Sequence, residues 1–377
     1  MAVAAPRRLP AAVVAAGVLA ATLAGCGSSG KEKAAQTKDL TPQQALSQSV
    51  SALDDRDALA VTLKVAVSTD DLKALSAKGS SGKPLTDAQA RLITGGDVQI
   101  TARTSDGSKL KDAKPGTPAA VAIAVHTDGG AIVEFRSVDG KALFLRADVK
   151  KIVEIAGKPA SSIDAQLANV PPQLSFVKDA VAGKWLKVDL AALQNLAKTY
   201  GGGAIPSADP SAAAAARSKL LAALQRDVTA TRAAPTDRGD HLVLTGSTRT
   251  LAKDVVGAFT SAFPSGNAAL SAIKTDKVPD MPVTLDAFVK DGRLSVLSLD
   301  VSQFATGKAK ADFAGKPFPL EMTFSSDVPR IDAPADAVTV DLQQILGAFL
   351  GARGGSARGG VSGTATLEAP ASALPTP

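Results

Sequence analysis

The chain has 377 residues and a formal net charge of +6; 45% of its residues are apolar but only 3% aromatic. Lysine and arginine are scattered among aspartates, with no basic block set among aromatics, so nucleic acid is excluded as a natural partner. The single cysteine rules out an internal disulfide, and the core must be built from alanine, valine, leucine and isoleucine.

Arg7 and Arg8 precede an apolar run over about residues 11–24, well short of the roughly 20 residues that span a bilayer as a helix. The run ends in Leu23, Ala24, Gly25 and Cys26. Basic, then apolar, then small is the order of a secretory leader. With cysteine next, the string resembles a bacterial lipobox. That resemblance implies cleavage between Gly25 and Cys26 and a diacylglyceryl group on the Cys26 sulfur. It also implies attachment to the cell membrane on the extracytoplasmic face, because two or more acyl chains anchor stably where one does not. The alternative is an ordinary leader with an accidental cysteine. Loss of residues 1–25 removes Arg7, Arg8 and no acid, which leaves a net charge of +4. Residues 26–39 are small, polar and charged, a flexible tether. No later stretch reaches 18 consecutive apolar residues, so a second span is not expected.

The folded part is expected over residues 40–350. Thr41 as N-cap and Pro42 at the first helical position predict a helix over 41–53. Asp54, Asp55 and Asp57 follow; they read as a solvated turn, the alternative being a cation site. The period then changes to two at Val61, Leu63, Val65 and Val67, which marks a half-buried strand. Residues 70–96 form a polar excursion with a short helix at 86–93. Strands follow at 98–102, 119–126, 131–137 and 142–147, joined in part by the turns Asp128-Gly129-Gly130 and Asp139-Gly140. Residues 150–182 suit short helices. A strand at 184–189 leads into a helix at 190–199, a loop at 201–211 and a helix at 212–226. Strands return at 227–233 and 241–247. A helix at 250–263 carries Phe259 and Phe263, which either pack it on the sheet or gate a cavity. Residues 283–289 and 293–301 form a hairpin around Asp291-Gly292, and strands at 318–325 and 338–342 close the pattern. Residues 351–377, rich in glycine, alanine, serine and proline, read as a disordered tail. About eleven strands joined mostly by hairpins define an α+β protein with a large antiparallel sheet, and a sheet of that width is expected to curve strongly.

No catalytic signature appears: there is no GxSxG, no complete GxxxxGK[ST], no HExxH and no GxGxxG. The two histidines, His126 and His241, sit at strand ends beside turns and read as surface residues rather than metal ligands. No enzyme activity, metal or cofactor is expected. Trp185, the single tryptophan, either lines a ligand pocket or plugs a core.

Together these parts resemble actinobacterial lipoproteins of the LppX/LprG type, within the broader LolA-like group. The likeness is carried by Cys26, by the 41–53 helix running into VTLKVAV, by VDGKALFLRADV at 138–149 with GKWLKVD at 183–189, and by the C-terminal half from the hairpin PVTLDAFVKDGRLSVLSLDVSQF to VPRIDAPADAVTVDL at 328–342. It covers roughly residues 40–345. It implies a strongly curved antiparallel half-barrel with helices over its concave face and, between them, an apolar cavity that holds acyl chains. It also implies a part in carrying or presenting lipids or lipoglycans, without catalysis. Val61, Leu63, Val65, Val133, Phe135, Trp185, Leu297 and Leu299 are the candidate cavity residues. Two departures, the extra lengths at 70–96 and 201–224, and the added tail, leave the ligand's identity and any protein partner open.

Overall fold

The computed structural model describes residues 39–78, 84–113, 119–168, 170–199, 219, 222, 223, 225–262, 274–305, 307–313 and 315–343. Cys26 and Gly25, the tether up to residue 38, the tail, Phe263 and nearly all of 201–224 lie outside these residues.

Two Asp-Gly pairs set the local geometry of the sheet. Asp139 and Gly140 take φ of 55° and 64°, and Asp291 and Gly292 take 52° and 72°. A two-residue turn with both φ positive matches the twist of the flanking strands, which is why Asp-Gly is selected there. The first turn joins β4 (Gly130–Val138) to β5 (Ala142–Ala147). The second joins β9 (Pro282–Lys290) to β10 (Arg293–Asp300). The remaining strands are β1 (Ala58–Val65), β2 (Asp97–Thr104), β3 (Ala119–Thr127), β6 (Leu186–Asp189), β7 (Val228–Arg232), β8 (Asp240–Ser247), β11 (Pro319–Ser325) and β12 (Val338–Thr339).

All twelve belong to one open sheet in the order β12, β6, β5, β4, β3, β2, β1, β11, β10, β9, β8, β7. Two meanders, β1 to β6 and β7 to β11, are thus joined at the centre by the pairing of β1 with β11. Every pairing is antiparallel except β12 on β6. The class is α+β, as expected from the sequence.

The helix Pro42–Ser51 begins where the sequence places it. Thr41 Oγ1 accepts from the Gln44 N–H at 3.3 Å, and the Thr41 N–H donates to Gln44 Oε1 at 3.1 Å, a reciprocal capping box. Its Ala45, Leu46 and Val50 pack against Leu59, Val61, Leu242, Leu244, Ala287, Met322 and Phe324, the main core, and Leu251 of the helix Thr248–Ala262 joins them. The face that receives these helices is called the inner face here.

The opposite, outer face is closed by a different part of the chain. Val328 packs on Ala58 and Ala60, Arg136 donates to the Asp332 carbonyl at 3.2 Å, and Ala337 lies against Ala142, Phe144 and Trp185. Residues 326–340 thus run as a strap from β11 across the outer face to β6, where the Val338 N–H reaches the Trp185 carbonyl at 2.8 Å.

The polar excursion at 70–96 contains two helices, Thr69–Lys78 and Asp87–Gly95. The second repeats the capping box, with Thr86 and Gln89. The first was hidden because only Leu72 of its ten residues is buried, too weak a pattern to detect. Gly307–Phe313 adds another helix that the sequence did not signal.

Candidate functional site

Strand register places side chains on faces without ambiguity, because their direction alternates. One inner row crosses six strands through Leu145, Phe135, Ile123, Ile100, Val61 and Phe324. The next runs through Ala147, Val133, Val125, Val98, Leu63, Met322 and Leu297. A third takes in Val65, Leu320 and Leu299. Seven of the eight residues singled out from the sequence therefore share one face: Val61, Leu63, Val65, Val133, Phe135, Leu297 and Leu299.

Along this face the cover changes. On the side of β1 and β7 to β11 the inner residues lie under the helix Pro42–Ser51; Leu242 is 0% exposed and Val61 2%. On β2 to β5 none of Val98, Ile100, Val121, Ile123, Val125, Val133, Phe135, Leu143 or Leu145 is buried. Ile123, in the interior of the sheet, is 37% exposed, and Leu145 is 42% exposed. Over 98–102, 121–125, 133–137 and 143–147 the inner positions carry one hydroxyl, Ser137, and no charge. Beside this face, Ile93 on Asp87–Gly95 and Ile152 on the helix Val149–Ile155 are more than a third exposed. Those two helices touch each other and reach β1 and β4. A folded sheet ordinarily buries its apolar face; on β2 to β5 the buried residues Ala120, Ala124, Ile132, Ala142 and Phe144 are on the outer face, while the apolar inner face stays part-exposed.

Trp185 is on the other side. It packs on Ala142 and Phe144, whose inner neighbours are Leu143 and Leu145, and is 7% exposed. The Arg136 and Arg146 guanidinium carbons lie 4.5 and 5.0 Å from its ring centroid, and Glu134 pairs with both arginines. The structure therefore places Trp185 in an outer-face plug, apart from the seven other candidates. Val98, Ile100, Ile123 and Leu145 were passed over; counting every second residue from Val61 through the register would have found them.

The histidines are far apart, with five strands between β3 and β8. His126 Nδ1 lies 2.9 Å from Asp97 Oδ1, and His241 Nε2 lies 2.8 Å from Asp286 Oδ1 while stacking on Phe288. Among the described residues no three His, Cys, Asp or Glu side chains gather where they could hold a metal. The aspartate turn differs from expectation. Asp54 is buried, at 1% exposure, in the turn Ala52–Asp55, which packs against the helix Pro42–Ser51, β1, β10 and the turn Leu110–Asp112; Asp55 pairs with Lys109 and Lys111, and Asp57 pairs with Arg103 at 3.4 Å. The hydrogen bond from Lys111 holds the Asp55 carboxyl below the usual carboxylate range. Among the described residues no helix is long and apolar enough to cross a membrane.

The sequence matches no protein-family model and no curated protein. In structure the chain is similar to LprF from Mycobacterium bovis, at 12% identity over 79% of this chain and 97% of that one, with a TM-score of 0.31. It is likewise similar to the lipoprotein LppX from Mycobacterium tuberculosis, at 12% identity over 78% of this chain and 100% of that one, with a TM-score of 0.30. A likeness of that depth settles neither ligand nor mechanism.

Proposed function

We propose that this chain is a membrane-anchored envelope lipoprotein that binds a lipid or other amphiphile along the inner face of β2 to β5 and carries or presents it, without catalysis. One observation supports the reading above the rest: an uncharged aliphatic face in the middle of a wide sheet with Ile123 and Leu145 left more than a third exposed. Contiguous exposed apolar surface marks a binding site. Each methylene laid against it contributes about 0.8 kcal/mol, while a binding wall with so few polar groups suits an acyl chain better than a sugar or nucleotide. In this reading residues 1–25 are the leader, Cys26 is the lipidated first residue of the mature chain, 26–39 are the tether, 40–350 the binding domain and 351–377 the tail. The anchor on Cys26 and the cargo are separate groups.

The test is to purify the chain from residue 27 onward from its native host, extract it with organic solvent and weigh the extract by mass spectrometry. A lipid at near one per protein is expected. A lipid-free protein that instead recovers a stoichiometric protein partner would replace this reading with that of a cell-surface scaffold.

A further inference from the structure

At the seam between the two meanders the ladder runs one step past the strands, where the Ala66 N–H donates to the Pro319 carbonyl at 2.9 Å. Val67 and Phe318 each lie two residues beyond the inner-face pair Val65 and Leu320. These two residues floor a cleft of about 70 Å³. Its walls are two arms. One is the helix Thr69–Lys78, held to the helix Asp87–Gly95 by the Thr69 and Thr94 hydroxyls at 2.9 Å and to the residues just before it by the Leu85 N–H on Ser76 Oγ at 3.1 Å. The other is the helix Gly307–Phe313 with residues 315–318, where the Phe313 and Phe318 rings meet edge to face at 6.1 Å.

Two polar contacts tie the arms across the cleft. Lys316 forms an ion pair with Asp71, and Lys78 Nζ donates to the Asp312 carbonyl at 3.4 Å. The floor is apolar and continuous with the inner rows, whereas the ties are polar and solvent-facing. Exposed ion pairs hold weakly and are screened by salt, so such ties open easily. The cleft has room for a few waters and none for an alkyl chain, so passage requires the arms to part.

We propose that the Lys316 to Asp71 and Lys78 to Asp312 contacts are a latch over an entrance at the β1 and β11 seam, through which an apolar chain reaches the inner face. This rests on the binding reading above and adds a route and a control to it. The test uses the full chain with Cys26→Ser, loaded with a dansyl-labelled fatty acid, and compares three versions: that chain, its Asp71→Lys variant and its Asp71→Lys/Lys316→Asp double variant. Asp71→Lys sets two cations against each other and is expected to speed release of the probe about threefold or more, and the charge swap is expected to restore the slow rate. Hydrogen exchange in 69–78 and 307–318 is expected to rise and fall in step. Unchanged release in Asp71→Lys, or fast release that the swap does not reverse, overturns the latch. If the Cys26→Ser chain takes up no probe, the binding reading falls. The latch is then decided by hydrogen exchange alone: coupled loosening of both arms, reversed by the swap, upholds it, and unchanged exchange overturns it.

Discussion

The two halves of the sheet are built alike and covered differently. Each is an antiparallel meander with aliphatic residues at every second position. On β7 to β11 the inner face is sealed by the helix Pro42–Ser51 and by Leu251, and it forms the main core. On β2 to β5 the outer face is sealed, by the strap at 326–340, while the inner face keeps its aliphatic side chains half-exposed. The same alternation therefore makes a core in one half and a wall in the other. The difference lies in which face meets a helix, and strand pattern alone does not encode it.

Four experiments bear on this contrast. The largest effect is expected at Trp185, which closes the outer face of the walled half. Trp185→Ala should cost about 4 kcal/mol in urea unfolding and leave the lipid content of the folded fraction unchanged, because the ring is on the opposite side from the wall. Loss of lipid at intact stability would place the tryptophan at the binding face after all. Next, Leu242→Ala should cost about 3 kcal/mol, while Ile123→Ala, on the same inner face and farther from a sheet edge, should cost less than about 1. Equal losses would mean that Ile123 is as well packed as Leu242, and the contrast would collapse.

A smaller effect concerns the sheet edge. Gln43 Nε2 donates to the Val228 carbonyl at 3.2 Å while Gln43 Oε1 accepts from the Ala230 N–H at 3.1 Å, so a side-chain amide occupies the free edge of β7 as a neighbouring strand would. Gln43→Ala should cost about 1 kcal/mol and make the protein dimerise at high concentration in size-exclusion runs. A monomer at every concentration would show that the edge needs no guard. The smallest effect is electrostatic. Asp55 is held below its ordinary range by Lys111, so its contribution is complete above the unfolded carboxylate value and is lost as pH falls through the folded one. Asp55→Asn should lower stability by about 0.3 kcal/mol at neutral pH, a figure reduced for solvent screening, and by progressively less as pH falls below the ordinary carboxylate range, read from paired urea midpoints.

Local chemistry in the sequence located most elements. Thr41 with Pro42 marked the first helix, and Asp139-Gly140 and Asp291-Gly292 marked two hairpins to the residue, because each depends on neighbours only. Period-two runs located the strands for the same reason. What depended on distant partners was hidden. Nothing near β1 indicates that β11, more than 250 residues later, will be its neighbour. Trp185 stands just before the short strand β6, whose parity has no reference until Leu186 is paired with Leu145. Asp54 reads as a turn residue from its charged neighbours, and only packing against elements distant in sequence, β10 and the turn Leu110–Asp112 among them, buries it. The shared face of seven candidates was legible because alternation within each strand is local; that Val133 and Phe135 line the wall while Val61, Leu63 and Leu297 pack in or against the main core was not.

The exchange of covers has a consequence for biogenesis. The first helix completes the later meander, and the last strap completes the earlier one, with β1 and β11 paired between them. Contacts of such long sequence separation form slowly. A chain made from its N-terminus reaches the strap only after some 325 residues, so the first meander spends its whole synthesis without the backing of its outer face. A chain stopped before Val328 would lack the cover over Ala58 and Ala60, and loss of the segment up to Ala337 would also leave Trp185 uncovered. A nearly finished chain can already assemble the main core, yet the outer face of its first meander stays uncovered until the C-terminal strap arrives.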